Sequence, residues 1–196
     1  MFRGLIAFAA LAVIIGAVFT AAAQSDWMLD ADASRLSFGS EKNGAVGEVH
    51  HFTRIDGVVG ADGQFSLTID LSSVETWADI RNERMLEFLF EVTRYPEAML
   101  TGTVDLTGFD DLAEGASREA NLIGTLSLHG LEQELDLFVI VTRLAEDRVL
   151  VVPDQLVILN AGDFDFGAGV EKLRELAGLD SISLAVPVSF YLVFER

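Results

Sequence analysis

Ser73-Val-Glu-Thr-Trp-Ala-Asp-Ile-Arg-Asn-Glu-Arg-Met85, closed by Arg94-Tyr95-Pro96, is the stretch on which the reading of this chain turns. It interrupts a strand-rich sequence with a charged, helix-like segment. Ala78 to Val92 carries Leu86, Leu89 and Phe90 at i, i+3 and i+4, the spacing of one apolar helix face. Arg81 and Arg84, three apart, share one side of the same helix. A guanidinium pairs bidentately with phosphate or carboxylate, so two on one face form a candidate anion site at a pocket mouth. Asp79, Glu83 and Glu87 lie close enough in sequence to tie both arginines into ordinary surface ion pairs instead.

Working outward, runs of alternating or apolar residues follow one another, separated by glycine and Asp/Asn turns. Ser34 to Ser40 is one strand, and Val46 to Val59 is a second, long and bent. Asp62-Gly63 marks a hairpin turn. Gln64 to Leu71 then sets Phe65, Leu67, Ile69 and Leu71 on one face and Ser66, Thr68 and Asp70 on the other, a period of two. Ala98 to Leu106, Glu119 to Leu128 and Leu131 to Leu144 read as three more strands, with His129-Gly130 as a tight antiparallel connection. Asp147 to Leu159 and Ser181 to Phe194 complete the set. A second helix, Val170 to Ala177, stops at Gly178. The fold class is all-β with minor α, and eight strands with two short helices predict an antiparallel barrel or sandwich. Leu135-Asp-Leu-Phe-Val-Ile-Val141 is apolar on both faces, which predicts cover on its outer side, supplied by one of the helices.

The first 23 residues form a separate unit. Arg3 supplies a positive charge, Gly4 to Thr20 is apolar, and Ala21-Ala22-Ala23 offers the small residues of a cleavage site. This is the pattern of an export signal cleaved before Gln24. The competing reading is a retained anchor, since Gly4 to Ala23 is long enough to span a bilayer. All 31 acidic residues and 12 of the 13 basic ones lie beyond residue 23, a net charge of −19. Such a charge favours solubility and disfavours nucleic acid and anionic membrane surfaces. The chain has no cysteine, so an exported protein here must rely on its core; 51% hydrophobic residues and 14 phenylalanines supply one. The expectation is a single domain over residues 24–196, periplasmic or secreted, with no stable membrane insertion after cleavage. Oligomeric state is not written in the sequence, and a homodimer is left open.

Catalytic signatures are sparse. There is no Gly-x-Ser-x-Gly, and the histidines are His50, His51 and His129. His50 and His51 are adjacent, so on a strand they face opposite ways and do not chelate together. Asp30, Asp32, Ser34 and Glu41 mimic a calcium loop, but Arg35 stands where glycine must make the turn. Asp165-Phe166-Gly167 matches a kinase tripeptide without a glycine-rich loop or placed lysine. No metal site, enzyme activity or cofactor is expected.

The order of features resembles a known family. Trp27-x-Leu-Asp30 precedes Ser34-x-Leu-Ser-Phe38; Phe52-Thr-Arg-Ile-Asp-Gly57 and Ile69-Asp-Leu-Ser-Ser-Val-Glu-Thr76 follow. Then come Arg81-Asn-Glu-Arg-Met85, Tyr95-Pro96-x-Ala98, Gly124-Thr-Leu-Ser-Leu-His-Gly130 and Asp163-Phe164. This series resembles the YceI-like exported bacterial proteins across nearly all of residues 24–196. The resemblance implies an eight-stranded, lipocalin-like barrel that binds a polyisoprenoid or similar amphiphile, a prenyl quinone or a prenyl phosphate, for carriage or storage. The chain departs from the family pattern in three places. Lys42 stands at the ungapped equivalent of a family histidine. Arg-Asp-x-His-Leu becomes Arg81-Asn82-Glu83-Arg84-Met85. An Asn-Arg-x-Asp-Phe-Gly pattern becomes Asn160-Ala161-Gly162-Asp163-Phe164-Asp165.

The expected ligand contacts are Phe38, Phe52, Phe65, Leu67, Ile69, Leu126, Leu128 and Phe138 along the chain. Arg81 and Arg84 take the head group, with Trp77 and His50 near the mouth, and Met85 is a further contact. A register slip of one residue inverts the inward set. Two further readings stand beside this one: a filled barrel acting as a protein-interaction or stress-response module, and an enzyme on a lipid-like substrate with a buried polar cluster. The interior separates the three.

Overall fold

The computed structural model describes residues 25–196, so the expected signal segment lies outside the described residues. Twelve strand segments build eight staves. The first stave is β1 (Trp27–Leu29) and β2 (Arg35–Lys42). Both run along β12 (Ala185–Glu195), with Leu29 opposite Phe194 and Leu36 opposite Phe190. Between them the Ser34 hydroxyl takes the Val193 N–H at 2.8 Å, standing in for a ladder bond. Asp30 accepts the Ala33 N–H and pairs with Arg148 at 2.8 Å, so its carboxylate is already engaged. The calcium-like spacing is therefore a strand break.

The second stave is β3 (Val46–Phe52) and β4 (Ile55–Val59), the long bent strand read from the sequence. The third is β5 (Gln64–Asp70), continued by β6 (Val74–Glu75) against β3. Then come β7 (Glu97–Thr103), β8 (Ser117–Leu128), β9 (Leu131–Ala145), and β10 (Arg148–Pro153) with β11 (Val157–Asn160). Every pairing is antiparallel. β1 pairs with β4 on one side and β12 on the other, which closes the ring. The result is an eight-stranded barrel, the size whose interior holds side chains or one small ligand.

The β8–β9 connection is the two-residue turn His129-Gly130. Both residues have positive φ, 54° and 77°, as a hairpin turn matched to strand twist requires. The His129 side chain has its own work: Nδ1–H donates to the Phe164 carbonyl at 3.0 Å, between the rings of Tyr95 and Phe166.

The two interruptions meet at one end of the barrel. α1 (Asp79–Arg84) is short and passes into a π-helical turn at Met85–Leu89, closed by Phe90 N–H to the Met85 carbonyl at 2.8 Å. The continuous helix expected over Ala78 to Val92 is corrected here. The extra residue in the π-turn rotates the face, so Met85 and Phe90 are buried while Leu86 and Leu89 are partly so. α2 (Gly167–Ala177) begins three residues before its expected start and ends at Gly178, φ 64°. There the Leu179 and Gly178 amides return to the Arg174 and Glu175 carbonyls. α2 touches the π-turn closely: a Cβ at Gly169 would lie 2.5 Å from the Phe88 carbonyl oxygen.

The helices cap that end rather than covering the outer wall of β9. Phe138 points outward and is 42% exposed, while Leu137 and Val139 face in. At the opposite end, residues 104–116 fold across the barrel. Arg143, buried, holds them with a donation to the Phe109 carbonyl (2.5 Å), while its other nitrogen donates to the Glu146 carbonyl (2.7 Å) in the β9–β10 turn.

Candidate ligand-binding site

The barrel is not filled. A cavity of about 520 Å³ opens at the helix-capped end and runs inward. Its walls come from the inner faces of β2, β3, β5, β7, β8, β9 and β12, and its upper part from α1, the π-turn and α2. Alternation along each strand dictates who faces it. On β5 the inward set is Phe65, Leu67 and Ile69; on β8 it includes Leu126 and Leu128. The aromatic rings cluster at one level: Phe38 stacks on Phe52 with centroids 5.3 Å apart, and Phe90 meets both edge-on or tilted.

The polar groups gather at the rim. Glu48, His50 and Phe52 are alternate residues of β3, so Glu48 and His50 point inward above Phe52. One oxygen of Glu48 receives both the Lys42 ammonium, at 2.8 Å, and Nη1 of Arg81. Burial acts to raise the Glu48 carboxyl, but hydrogen bonds from Lys42 and Arg81 and their charges outweigh it and hold it below its usual range. Arg81 is fixed further: Nε donates to Thr76 Oγ1 and Nη2 to the Thr76 carbonyl, both at 3.1 Å. Asn82 Oδ1 in turn accepts the Thr76 amide and hydroxyl, at 2.9 and 2.6 Å. The residue that departs from the family's acid is thus the anchor of the loop that presents Arg81. Arg84, which departs from the family's histidine, donates Nη1 to the Leu176 carbonyl at 3.2 Å and ties α1 to α2.

His50 is the buried polar group of the site, at 3% exposure. Burial depresses its pKa, and the Arg81 charge adds to that more than Glu48 opposes it. It is therefore a neutral imidazole at pH 7. Its Nε2 lies 3.9 Å from Glu48 Oε2, and its Nδ1 is buried without a hydrogen-bond partner.

Of the contacts expected from sequence, Phe38, His50, Phe52, Leu67, Ile69, Arg81, Arg84, Met85, Leu126 and Leu128 line this cavity. Phe138 does not. Its strand is apolar on both faces, so pattern alone does not choose the parity, and the observed register turns it outward. Trp77 does not either: it is 77% exposed, in a left-handed conformation at φ 62°, with its ring against His51 on the outer face of β3. Phe65 faces a second, smaller cavity of about 140 Å³ at the other end, lined also by Trp27, Leu122, Phe109 and Arg143. Glu48, Phe90 and Phe166 line the main cavity without having been among the expected ligand contacts. Glu48 was legible, because an inward His50 places residue 48 on the same face. The aromatic pair depends on the π-turn and on the turn before α2, which no periodicity announces.

Among the described residues, no group of three or more His, Cys, Asp or Glu is placed to hold a metal ion. No described helix is long and apolar enough to cross a membrane.

The family profile described as a YceI-like domain matches residues 27–194. A polyisoprenoid binding domain from Saccharophagus degradans, described as implicated in plant cell wall breakdown, is 40% identical. Its match covers 87% of this chain and 98% of that one, with a TM-score of 0.85. BcnA of Burkholderia cenocepacia is 19% identical over 84% of this chain and 98% of its own, TM-score 0.66. A YCEI protein of Campylobacter jejuni is 14% identical over 75% and 84%, TM-score 0.57. These two show the shared fold. No curated protein sequence matches the chain.

Proposed function

The chain belongs to the YceI-like family, and from that premise we propose that it carries or stores an amphiphilic lipid with an isoprenoid chain, in the periplasm or outside the cell. The observation that carries this reading is the 520 Å³ apolar cavity whose charged groups, Lys42, Glu48, Arg81 and Arg84, gather at the helix-capped end. Its size falls in the range of small-molecule sites. Each methylene-sized group moved from water into it contributes about 0.8 kcal/mol, so binding needs no catalytic group. The polyisoprenoid binding described for the 40%-identical domain supports the chain class. An open cavity also weighs against the filled-barrel module, and a rim whose one carboxylate is tied up by Lys42 and Arg81 weighs against an enzyme.

The rim's three cations exceed its one carboxylate, yet each is engaged: Lys42 and Arg81 both contact Glu48, and Arg84 donates to the Leu176 carbonyl. The unpartnered group is the neutral His50, whose Nδ1 suits a quinone carbonyl or a hydroxyl. The test is organic extraction of the purified exported protein followed by mass spectrometry. A co-purifying prenyl lipid is expected, on a polypeptide beginning at Gln24. Absence of lipid, together with failure to bind added prenyl quinones or prenyl alcohols, would sink the proposal.

A further inference from the structure

The main cavity does not end on backbone. Its floor is made by Leu67, Leu100, Leu137 and Phe190, and the same four side chains roof the 140 Å³ cavity beyond. None carries a side-chain polar atom, so no hydrogen bond latches this waist shut. Next to it, Phe65 lies over Gly102 and Gly124, which face each other across β7 and β8. A Cβ at Gly102 would stand 2.8 Å from Phe65 Cζ, and one at Gly124 3.2 Å from the same atom. Two glycines therefore make the seat that keeps this ring beside the passage instead of across it.

We propose that the far cavity is a tail subsite: the waist admits the terminal unit of a hydrocarbon chain too long for the main cavity, and so sets the chain length this protein prefers. The inference rests on the lipid-carrier reading above. A cavity of about 150 Å³ holds one benzene, or about 25 Å³ per carbon. At that density the main cavity takes about twenty carbons, four isoprene units, and the far one about five, a single further unit. The lining suits a hydrocarbon end. Its charged members are engaged elsewhere, Arg143 on the carbonyls of Phe109 and Glu146, and Asp110 on Arg196. Arg143 Nε alone is left unpartnered.

Trp27 lines the far cavity, and the other tryptophan, Trp77, is exposed on the outside of the barrel. In a Trp77→Phe protein, fluorescence therefore reports the far cavity with its interior unaltered. Prenyl alcohols of three, four and five units, brominated at the tail, are the probes. The five-unit chain is expected to quench Trp27 and the three-unit chain to leave it bright. Affinity should rise about tenfold or more from four units to five, since about five carbons are newly buried and only part of that gain is lost to ordering. Leu122→Phe, whose three additional carbons take up about half of the far cavity at that density, should cut that last increment sharply while leaving the three- and four-unit affinities unchanged. A five-unit chain that binds without quenching Trp27 overturns the inference. So does quenching by a head-brominated chain, which would mean the polar end had travelled to Arg143. If no chain of any length binds, the carrier reading itself fails.

Discussion

At the scale of single residues, the site is governed by a histidine that stays neutral and a glutamate that stays charged. Burial holds His50 below its ordinary pKa, with Arg81 adding to the shift; burial, then Arg35, does the same to His51. Both take up protons more readily in the unfolded chain, so unfolding binds protons as the solution is acidified below about pH 6.5. Glu48, depressed in the fold, acts in the same direction once the pH reaches the carboxylate range. Thermal stability is therefore expected to fall between pH 7.5 and 5.5, measured by calorimetry in buffers of matched ionic strength. His50→Gln should flatten that dependence, because glutamine keeps polar atoms in place without titrating. A slope identical to the parent would show that His50 exchanges no protons on unfolding. What the sequence could say here was limited by pairing. Arg81 stood out as a cation on a helix face, but its partner Glu48 lies 33 residues away on another stave.

At the scale of elements, the segment between β5 and β7 carries most of the distinction between expectation and structure. Its helical character was readable from Leu86, Leu89 and Phe90. Its π-turn was not, because one additional residue in a helix leaves no mark on a 3.6-residue period. The consequence is physical: the turn drives Met85 and Phe90 into the barrel mouth, where they join the buried core. Met85→Ala is expected to destabilise the protein by about 2–5 kcal/mol, the range for truncating a well-packed buried side chain, as read by denaturant unfolding. A loss near the bottom of that range, with lipid affinity reduced as well, would mean that Met85 faces the ligand space more than the core. The strands were more legible. All eight expected runs became staves, because period-two alternation and turn residues are local properties. The exception is β9, apolar on both faces, where the side that faces in is decided by its partners Leu122 and Leu126 on β8 and not by its own pattern.

At the scale of the whole molecule, the closed ring follows from β1 reaching both β4 and β12, a pairing between the two ends of the domain that no local pattern encodes. The two ends of that ring are unlike. One is rimmed by polar groups and two short helices; the other is crossed by residues 104–116 and pinned through Arg143. Entry through the polar end alone would have a kinetic signature. A newcomer would then have no way to push the resident out from behind, and exchange would wait for the occupant to leave unaided. Stopped-flow displacement of a fluorescent prenyl probe is expected to give a rate that does not change as competitor is raised. A rate climbing with competitor would mean that cargo passes through a second door. On the proposed carrier reading, the last part to enter would be the first to emerge, and the head group would wait at the threshold, in reach of whatever receives it.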